Sequence, residues 1–254
     1  MPHILLDYHS QNHIAVITLN RPEVHHAISE EMMTRLEEIL DEIEGHPEVR
    51  VMILTASGAT SFCAGGDLKY FMRLKTRQQA RNMSLRMQSI LNRFWSGERV
   101  VIAAINGQVF GGGCEILTAC HFRIASSNAR FSFRQAANGV ITGWGGGLRL
   151  FRILGHRGLH LLLTADNVDA RLALQYGFVD TIVEVEALLP AAMALASRII
   201  QNSADAVKIF LDLYRRSHID TEESLVEFET EAFTDLWVGK DFQKWINEYF
   251  NKKK

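Results

Sequence analysis

Short apolar runs and helical periodicity alternate along the first half of the chain. Residues Ile14–Leu19 (IAVITL) predict a strand, which Asn20-Arg21-Pro22 ends. Ser29 has the character of an N-cap, because two glutamates follow it at the positive end of a helix dipole. Apolar residues then recur three and four positions apart up to Ile43, and they predict an amphipathic helix that ends at Gly45.

The alternation continues to about residue 185, and helical patterns alone fill the rest of the chain. Apolar runs predict further strands at residues 49–55, 100–105, 122–125, 130–133 and 179–185. Helical periodicity covers residues 76–94, 147–154, 157–164, 169–176, 188–202, 204–216, 221–237 and 240–250. We find no clear sequence repeat. This order predicts one α/β core and a C-terminal helical region, which we place at residues 1–190 and 191–254.

Aromatic residues crowd the last predicted helices. They are Trp237, Phe242, Trp245, Tyr249 and Phe250. Such residues either pack on the chain's own core or become buried against a second copy in an oligomer. The pattern admits both interpretations.

Composition and charge narrow the class of protein. Of 254 residues, 47% are hydrophobic and 22% are charged, as in a soluble globular protein. Basic residues number 27 against 29 acidic ones, which disfavours a nucleic-acid-binding protein. The 3 cysteines form no Cys-x-x-Cys pair, and the sequence shows neither a secretory signal nor an apolar run of 18 residues. We therefore expect a cytoplasmic enzyme without a membrane segment.

Two glycine-containing segments each follow a predicted strand. The first covers residues 61–69 (SFCAGGDLK), and the second covers residues 106–117 (NGQVFGGGCEIL). Successive glycines at a helix start leave backbone N–H groups that no side chain covers and no intrahelical acceptor satisfies. Such N–H groups can hold a phosphate, a carboxylate or a transient oxyanion, although the same glycines also permit tight helix packing.

The residues after the second glycine run exclude two kinds of phosphate site. A P-loop would require Gly-Lys-Ser/Thr, where the chain has Gly113-Cys114-Glu115, and no Gly-x-Gly-x-x-Gly opens a helix. Glu115 would repel a bound phosphate, but it suits a proton acceptor beside a carbonyl that is being polarised. Cys114 is interpreted as a packed thiol rather than a nucleophile. No His-Glu-x-x-His motif indicates a metal site.

These segments resemble the paired oxyanion-hole motifs of the crotonase superfamily, also called the enoyl-CoA hydratase/isomerase family. Residues 61–69 are similar to its Ala-Gly-x-Asp-Ile/Leu-Lys loop, and residues 106–117 to its Asn-Gly-x-x-x-Gly-Gly-Gly-x-Glu-Leu motif. Residues 19–27 (LNRPEVHHA) resemble its Leu-Asn-x-Pro stretch, and residues 173–180 resemble its Ala-x-x-x-Gly-Leu-Val-Asp turn. The resemblance covers at least residues 14–185 with the motifs in order.

The resemblance implies a crotonase-like ββα spiral core with a C-terminal helical trimerisation region, assembled as a homotrimer or a dimer of trimers. It implies an acyl-CoA substrate, with coenzyme A as part of the thioester rather than a separate cofactor, and no metal. The N–H groups of Gly66 and Gly112 would donate to the thioester oxygen and stabilise an enolate. Glu115 matches the first of the two glutamates that the hydratases use for proton transfer.

The match to the second glutamate fails. The hydratases of the family place Pro-Glu where this chain has Arg134-Gln135, and an amide positions a water or a substrate oxygen but delivers no proton. The retained Glu115 supports hydration or double-bond isomerisation of an enoyl-CoA. The alternatives are decarboxylation of a short malonyl-CoA-like substrate and acyl-CoA binding without turnover. Trp144 stands in a Gly-Trp-Gly-Gly stretch that resembles the decarboxylases of the superfamily.

The resemblance also assigns residues to substrate binding. Asp67 is expected to fix its turn, and Lys69 either lies near the CoA phosphates or stays solvated. Trp144 is either a wall of the acyl pocket or ordinary core. The predicted binding set is Ala27, Ala64, Gly65, Asp67, Leu68, Lys69, Gly111 and Trp144. The predicted catalytic set is Glu115, Gly66, Gly112 and Gln135.

Overall fold

The computed structural model describes residues 2–9, 11 and 13–251, with side chains as far as residue 246. Within that part of the chain the strands are β1 (Ile4–His9), β2 (Ile14–Leu19), β3 (Val51–Ala56), β4 (Ser61–Cys63), β5 (Val100–Ile105), β6 (Gln108–Phe110), β7 (Phe122–Ser126), β8 (Arg130–Ser132), β9 (Val168–Asp169) and β10 (Thr181–Val183). The helices are α1 (Glu30–Glu44), α2 (Leu68–Phe71), α3 (Arg77–Ser96), α4 (Gly112–Leu117), α5 (Gly146–Leu154), α6 (His156–Thr164), α7 (Ala170–Tyr176), α8 (Leu188–Ile200), α9 (Ala204–Arg216), α10 (Glu222–Val238) and α11 (Lys240–Asn251).

The chain divides into two compact units, and the larger one ends at Ser197. Two β-sheets form the core of this larger unit. The first has the strand order β1-β2-β3-β5-β7-β10, in which β1 and β2 are antiparallel and the other neighbours are parallel. β5 is buried along its whole length, as expected for a parallel strand that is covered on both faces. The second sheet has the order β4-β6-β8-β9 and is parallel except for its last pair.

Successive strands alternate between the two sheets and generate a spiral. β3 lies in the first sheet and β4 in the second, and the pairs β5–β6 and β7–β8 repeat that step. Helices α2 and α3 follow β4, and α4 follows β6. Each turn of the spiral is therefore a β-β-α unit, although the sequence shows no repeat. The arrangement confirms the predicted α/β class, with a ββα core followed by C-terminal helices.

Local signals fix the helix ends. The Ser29 hydroxyl accepts a hydrogen bond from the Met32 N–H over 3.3 Å, which confirms the predicted N-cap of α1. α3 begins with a capping box formed by Thr76 and Gln79. No helix in the described part of the chain is both long and apolar enough to span a membrane.

The sequence pattern misses four short or terminal strands, namely β1, β4, β6 and β9. β4 and β6 have 3 residues each and lie inside the two glycine segments, so they are too short to show an alternating pattern. The predicted strand at residues 179–185 narrows to β10, and the other predicted elements are confirmed with ends within 2 residues of those observed.

A second compact unit begins between Ser197 and Arg198, within α8, and contains α9 to α11. Inside it, the ring of Trp237 lies 4.4 Å from that of Phe242, which lies 5.9 Å from Trp245. Both tryptophans stay about half exposed, at 48% and 56%. The side chains of residues 249 and 250 lie outside the described ones. The predicted division at 190/191 and the predicted oligomer interface stay predictions.

Candidate active site

Three neighbouring strands of the second sheet end at the same edge. β6 pairs in parallel with β4 on one side and with β8 on the other. Because the carboxyl ends of parallel strands meet at one edge of a sheet, the segments that follow them are neighbours. Gly66 follows β4, Gly112 follows β6 and Gln135 follows β8, so strand pairing brings these predicted residues together.

The turn after β4 presents a free amide at Gly66. The Gly65 carbonyl accepts a hydrogen bond from the Ile28 N–H (2.7 Å), and the Ile28 carbonyl accepts one from the Asp67 N–H (2.9 Å). Both neighbours of Gly66 are therefore held in place. The Gly66 N–H itself has no acceptor among the described residues.

The turn after β6 presents a second free amide at Gly112. The preceding Gly111 N–H donates to the Ser132 carbonyl of β8 over 2.9 Å. Gly112 is the first residue of α4, so its N–H has no intrahelical acceptor, and the described chain supplies no other. Gly65 has a φ of +96°, and a Cβ there would lie 2.9 Å from the Gly112 nitrogen. The two turns are therefore in contact, and only glycine fits between them.

An aromatic ring lies against each of the two glycines. A Cβ on Gly66 would overlap the Phe71 ring, and a Cβ on Gly112 would overlap the indole of Trp144. Neither position therefore accommodates a methyl group. Trp144 is only 3% exposed and still lines the cavity, so it is both a core residue and a wall of the pocket.

Glu115 is buried, with 2% of its surface exposed, and its carboxylate accepts four hydrogen bonds. Oε1 accepts from Gln135 Nε2 (3.0 Å) and from the Gly143 N–H (3.3 Å). Oε2 accepts from the N–H groups of Trp144 (2.8 Å) and Gly146 (3.0 Å). A carboxylate offers about four lone-pair positions, so protein donors occupy all of them.

Burial and hydrogen bonding act on this carboxylate in opposite directions. Removal from water raises the pKa of Glu115, and the four donated hydrogen bonds oppose that shift without cancelling it. A carboxyl group with a raised pKa is a stronger base at neutral pH. To take up a proton, one oxygen must release a donor, and the longest of the four bonds is that from the Gly143 N–H.

Helix α3 holds the loop that donates to Glu115. The Gly143 carbonyl accepts from Ser84 Oγ (2.5 Å) and from Gln88 Nε2 (3.0 Å). This carbonyl and the Trp144 N–H belong to one peptide group. The two bonds therefore polarise that N–H towards the Glu115 carboxylate.

Arg149 of α5 holds the same loop from the other side. Its guanidinium is buried and donates to the Trp144 carbonyl (2.7 Å) and to Thr118 Oγ1 (3.1 Å). Burial lowers the pKa of Arg149 to about 10, an effect that the nearby charge of Glu115 opposes. Arg149 therefore stays charged at neutral pH and fixes the loop behind the carboxylate.

Gln135 is 8% exposed, and its amide has one fixed orientation. Because the ionised Glu115 carboxylate only accepts hydrogen bonds, the nitrogen of the amide must face it. The oxygen, Oε1, is buried and has no donor among the described residues. A buried acceptor without a partner at a cavity wall suits an O–H group of a water or a ligand.

Asp67 is a structural carboxylate. Its Oδ1 accepts from the N–H groups of Lys69 (2.7 Å) and Tyr70 (3.3 Å) at the start of α2, and its Oδ2 accepts from Arg21 Nη1 (2.6 Å). Burial by itself would raise the pKa of Asp67, but the Arg21 guanidinium and the two N–H donors outweigh it and lower the pKa. These bonds fix the turn that carries Gly66, in agreement with the predicted role of Asp67.

One cavity of about 950 Å³ contains the site. It is lined by the whole predicted catalytic set and by the predicted binding set except Gly65, whose backbone supports the Gly112 turn instead. Sequence reasoning misses several lining residues, because single apolar and polar positions look like ordinary core and ordinary surface. Among them are Phe71, Met83, Ser84, Asn138 and Ile141.

Neither a reactive thiol nor a metal cluster lies beside the site in the described part of the chain. Burial raises the pKa of Cys114, and its thiol donates to the Val109 carbonyl (3.2 Å), as a packed thiol does. Among the described residues, no group of three or more His, Cys, Asp or Glu side chains is placed to hold a metal ion. The expectation of a metal-free site stays a prediction.

Comparison with known sequences shows relatives over most of the chain. The family model described as enoyl-CoA hydratase/isomerase matches residues 9–254. The short-chain-enoyl-CoA hydratase of Clostridium acetobutylicum is 34% identical over 242 residues, which cover 95% of this chain and 92% of the relative. The ethylmalonyl-CoA decarboxylase of Gallus gallus is 30% identical over 230 residues, which cover 89% of this chain and 77% of the relative.

Comparison with solved structures agrees. The crystal structure of an enoyl-CoA hydratase from Bacillus anthracis matches with a TM-score of 0.92 at 30% sequence identity, over 98% of this chain and 96% of that one. The family match, the two relatives and this structure all cover the segments that form the site. The chain belongs to the enoyl-CoA hydratase/isomerase family and is an acyl-CoA enzyme of that type.

Proposed function

We propose that this enzyme stabilises the enolate of an acyl-CoA thioester between Gly66 and Gly112 and moves one proton through Glu115. One observation carries the proposal. Two N–H groups that find no acceptor among the described residues lie in contacting turns and line the same cavity as a buried carboxylate. Each such donor, aimed at developing negative charge, stabilises a transition state by about 3 kcal/mol.

Hydration of an enoyl-CoA is the reaction that the geometry supports best. A water held by Gln135 Oε1 adds its oxygen to the β-carbon. Glu115, once the Gly143 N–H has released it, takes the proton that the water loses. The electron pair of the double bond moves onto the thioester oxygen as an enolate, which the two amides stabilise. Glu115 then returns its proton to the α-carbon. One carboxylate thus serves both proton steps and is restored at the end.

Double-bond isomerisation would use the same groups without the added water. Glu115 would remove a proton from the α-carbon of a β,γ-unsaturated thioester and return it to the γ-carbon. The enolate between these steps would again lie at Gly66 and Gly112. Gln135 would then have no water to hold. We therefore place hydration before isomerisation.

Decarboxylation is a second candidate, favoured by the missing second carboxylate and by the decarboxylase relative at 30% identity. Loss of CO₂ leaves the electron pair of the broken C–C bond on the thioester as an enolate. No base is needed for that step, because no proton is removed. Glu115, protonated, would then supply one proton to the α-carbon.

Substrate turnover tests these candidates. Crotonyl-CoA that loses its conjugated enoyl absorbance supports hydration, and 3-butenoyl-CoA that gains this absorbance supports isomerisation. Release of CO₂ from ethylmalonyl-CoA, with crotonyl-CoA unchanged, selects the decarboxylase. Calorimetric binding of butyryl-CoA with no turnover of any of the three indicates an acyl-CoA-binding relative and contradicts the proposal.

Several further properties belong to the same proposal. Coenzyme A enters as part of the substrate, with its phosphates near Lys69, whose exposed ammonium has no partner among the described residues. The chain assembles as a homotrimer or a dimer of trimers, which the half-exposed tryptophans of the C-terminal unit support. A cytoplasmic location and a part in fatty acid metabolism complete it. Light scattering on the purified protein tests the assembly.

A further inference from the structure

Arg134 is a cation without a partner at the cavity wall. It follows β8, directly precedes Gln135 and lines the cavity with its side chain exposed. Its guanidinium makes no hydrogen bond, ion pair or ring contact with any residue in the described ranges. Five N–H donors in a planar fork are therefore available to a ligand at this position.

The acidic groups of the same cavity are already engaged. Asp67 is paired with Arg21 at 2.6 Å, and protein donors fill the Glu115 carboxylate. Glu23 is 65% exposed and lies 3.8 Å from Arg21. The protein therefore leaves the charge of Arg134 uncompensated, and an anionic group of the ligand is the natural counterpart.

Gln135 keeps a competing carboxylate away from Arg134. Its side chain is neutral, and its nitrogen is turned towards Glu115. A glutamate at position 135 would add a second negative charge to the cavity wall that holds Glu115 and would repel an anionic ligand. Gln135 therefore has two effects: it provides no second proton donor, and it adds no negative charge that would compete for Arg134.

The strand order places the segments that carry two unpaired cations on either side of the segment that carries Glu115. Lys69 follows β4, Glu115 follows β6 and Arg134 follows β8. Neighbouring strands lie about 4.8 Å apart, so the ends of β4 and β8 are separated by about 10 Å. A thioester whose CoA phosphates lie at Lys69 therefore extends the far end of its acyl group towards Arg134.

We infer that Arg134 binds a carboxylate at the far end of the acyl group, with the Asn138 amide as a second donor from the same wall. The favoured substrates are then short dicarboxylic acyl-CoA thioesters. This inference rests on the proposed acyl-CoA orientation and deepens the proposed function. An ion pair with a guanidinium stabilises the carboxylate, so the group held there is retained rather than released as CO₂. The CoA phosphates are the other possible source of an anion.

Calorimetric titration of succinyl-CoA and butyryl-CoA tests the inference without any turnover. Both acyl groups have four carbons, and they differ in the terminal carboxylate. A charge-assisted hydrogen bond at a partly exposed site corresponds to about a tenfold preference for succinyl-CoA in the wild-type enzyme. Arg134→Gln should remove that preference, whereas Arg134→Lys should keep most of it.

Two matched variants serve as controls. Arg130→Gln makes the same change at another exposed arginine, the first residue of β8, which pairs with Asp169 at 3.6 Å and does not line the cavity. It should leave the ratio of the two affinities unchanged. Lys69→Gln should lower the affinity for both thioesters by one common factor, because both carry the CoA phosphates.

Three results would overturn the inference. The first is a wild-type enzyme that binds succinyl-CoA no more tightly than butyryl-CoA. The second is an Arg134→Gln variant that still prefers succinyl-CoA. The third is an Arg134→Gln variant that binds both thioesters more weakly by the same factor. The last result would assign Arg134 to the CoA phosphates. The readout is separate from catalysis. Succinyl-CoA binding through Arg134 without any enoyl-CoA turnover would refute the proposed function alone, and crotonyl-CoA hydration without the preference would refute this inference alone.

Discussion

The side-chain amide of Gln135 donates to the carboxylate of Glu115 across 3.0 Å, and both residues are buried in the cavity wall. The bond joins a group that can carry a proton to one that cannot titrate. Of these two side chains, Glu115 is therefore the one that can carry a proton beside the two free amides. The way this single carboxylate is used decides between hydration, isomerisation and decarboxylation.

Replacement Glu115→Gln should abolish proton transfer while acyl-CoA still binds. An amide at this position cannot take up a proton, and loss of a general acid or base lowers a rate by about 10²- to 10⁴-fold. The measurements are kcat with crotonyl-CoA and the Kd for butyryl-CoA. The new NH₂ group would also face two of the N–H donors that now bind the carboxylate, so the melting temperature is the control for misfolding. A folded variant with wild-type kcat contradicts the role of Glu115.

The pH dependence of activity should report the raised pKa of Glu115. The carboxylate is the basic form, so activity falls as the pH drops through this pKa, which burial holds above the usual range of a glutamate. Gln135→Glu should move this acid limb upwards by about one to three pH units, because two carboxylates about 3 Å apart share a proton. The measurement is kcat/KM against pH for both enzymes. An unchanged or lowered midpoint in the variant would show that the two side chains are not coupled.

Gly112→Ala should nearly abolish turnover. The added methyl group overlaps the Trp144 indole, whose backbone N–H also donates to Glu115, so the change disturbs the amide and the carboxylate together. Loss of one oxyanion donor typically lowers kcat by about 10²- to 10³-fold. Gly45→Ala is the control, because Gly45 has an ordinary helical φ of −68° and does not line the cavity. Equal activity of the two variants would remove Gly112 from the mechanism.

Sequence patterns single out the proposed reacting groups of the site but not the residues that hold them. Glycines and a carboxylate directly after a buried strand leave a local signal, and the family resemblance then points to Gly66, Gly112 and Glu115 within it. Gln88 and Arg149 leave none, because they act through the carbonyls of the loop around Trp144. On an amphipathic helix, a polar residue with such a role looks like a solvated one.

Local sequence patterns likewise predict only part of the fold. Long elements such as α1 and β5 carry enough periodicity or apolar length to be predicted from the chain alone. The strands β4 and β6 have 3 residues each, and their parallel pairing is a tertiary contact that no local pattern encodes. That pairing is nevertheless what brings the two glycine turns into contact.

The stability of the enzyme should decrease on mild acidification because of His121. Burial, and secondarily the charge of Arg123, lower the pKa of His121 to about 4 from 6.5. Between these pH values the unfolded chain binds a proton that the native chain does not. The free energy of unfolding therefore falls as the pH drops through this window, by about 3 kcal/mol in total.

His121→Phe isolates this contribution. Phenylalanine keeps an aromatic ring against Trp95, where the two rings now lie nearly parallel, and removes the titration. The free energy of unfolding is measured with urea between pH 7 and pH 4.5. Its slope against pH gives the number of protons taken up on unfolding, which should be smaller by about one in the variant. The variant also loses the hydrogen bond from the Val101 N–H, so the slope rather than the absolute stability is compared. Identical slopes would mean that His121 is protonated in the native enzyme.

The central claim is that the amides of Gly66 and Gly112 bind one thioester oxygen beside Glu115. A crystal structure of the enzyme with acetoacetyl-CoA tests it most directly. We expect the thioester oxygen to lie about 2.7–3.1 Å from both nitrogens, with the Glu115 carboxylate facing the α-carbon. A thioester oxygen that contacts neither nitrogen, or an acyl group bound outside this cavity, would contradict the account.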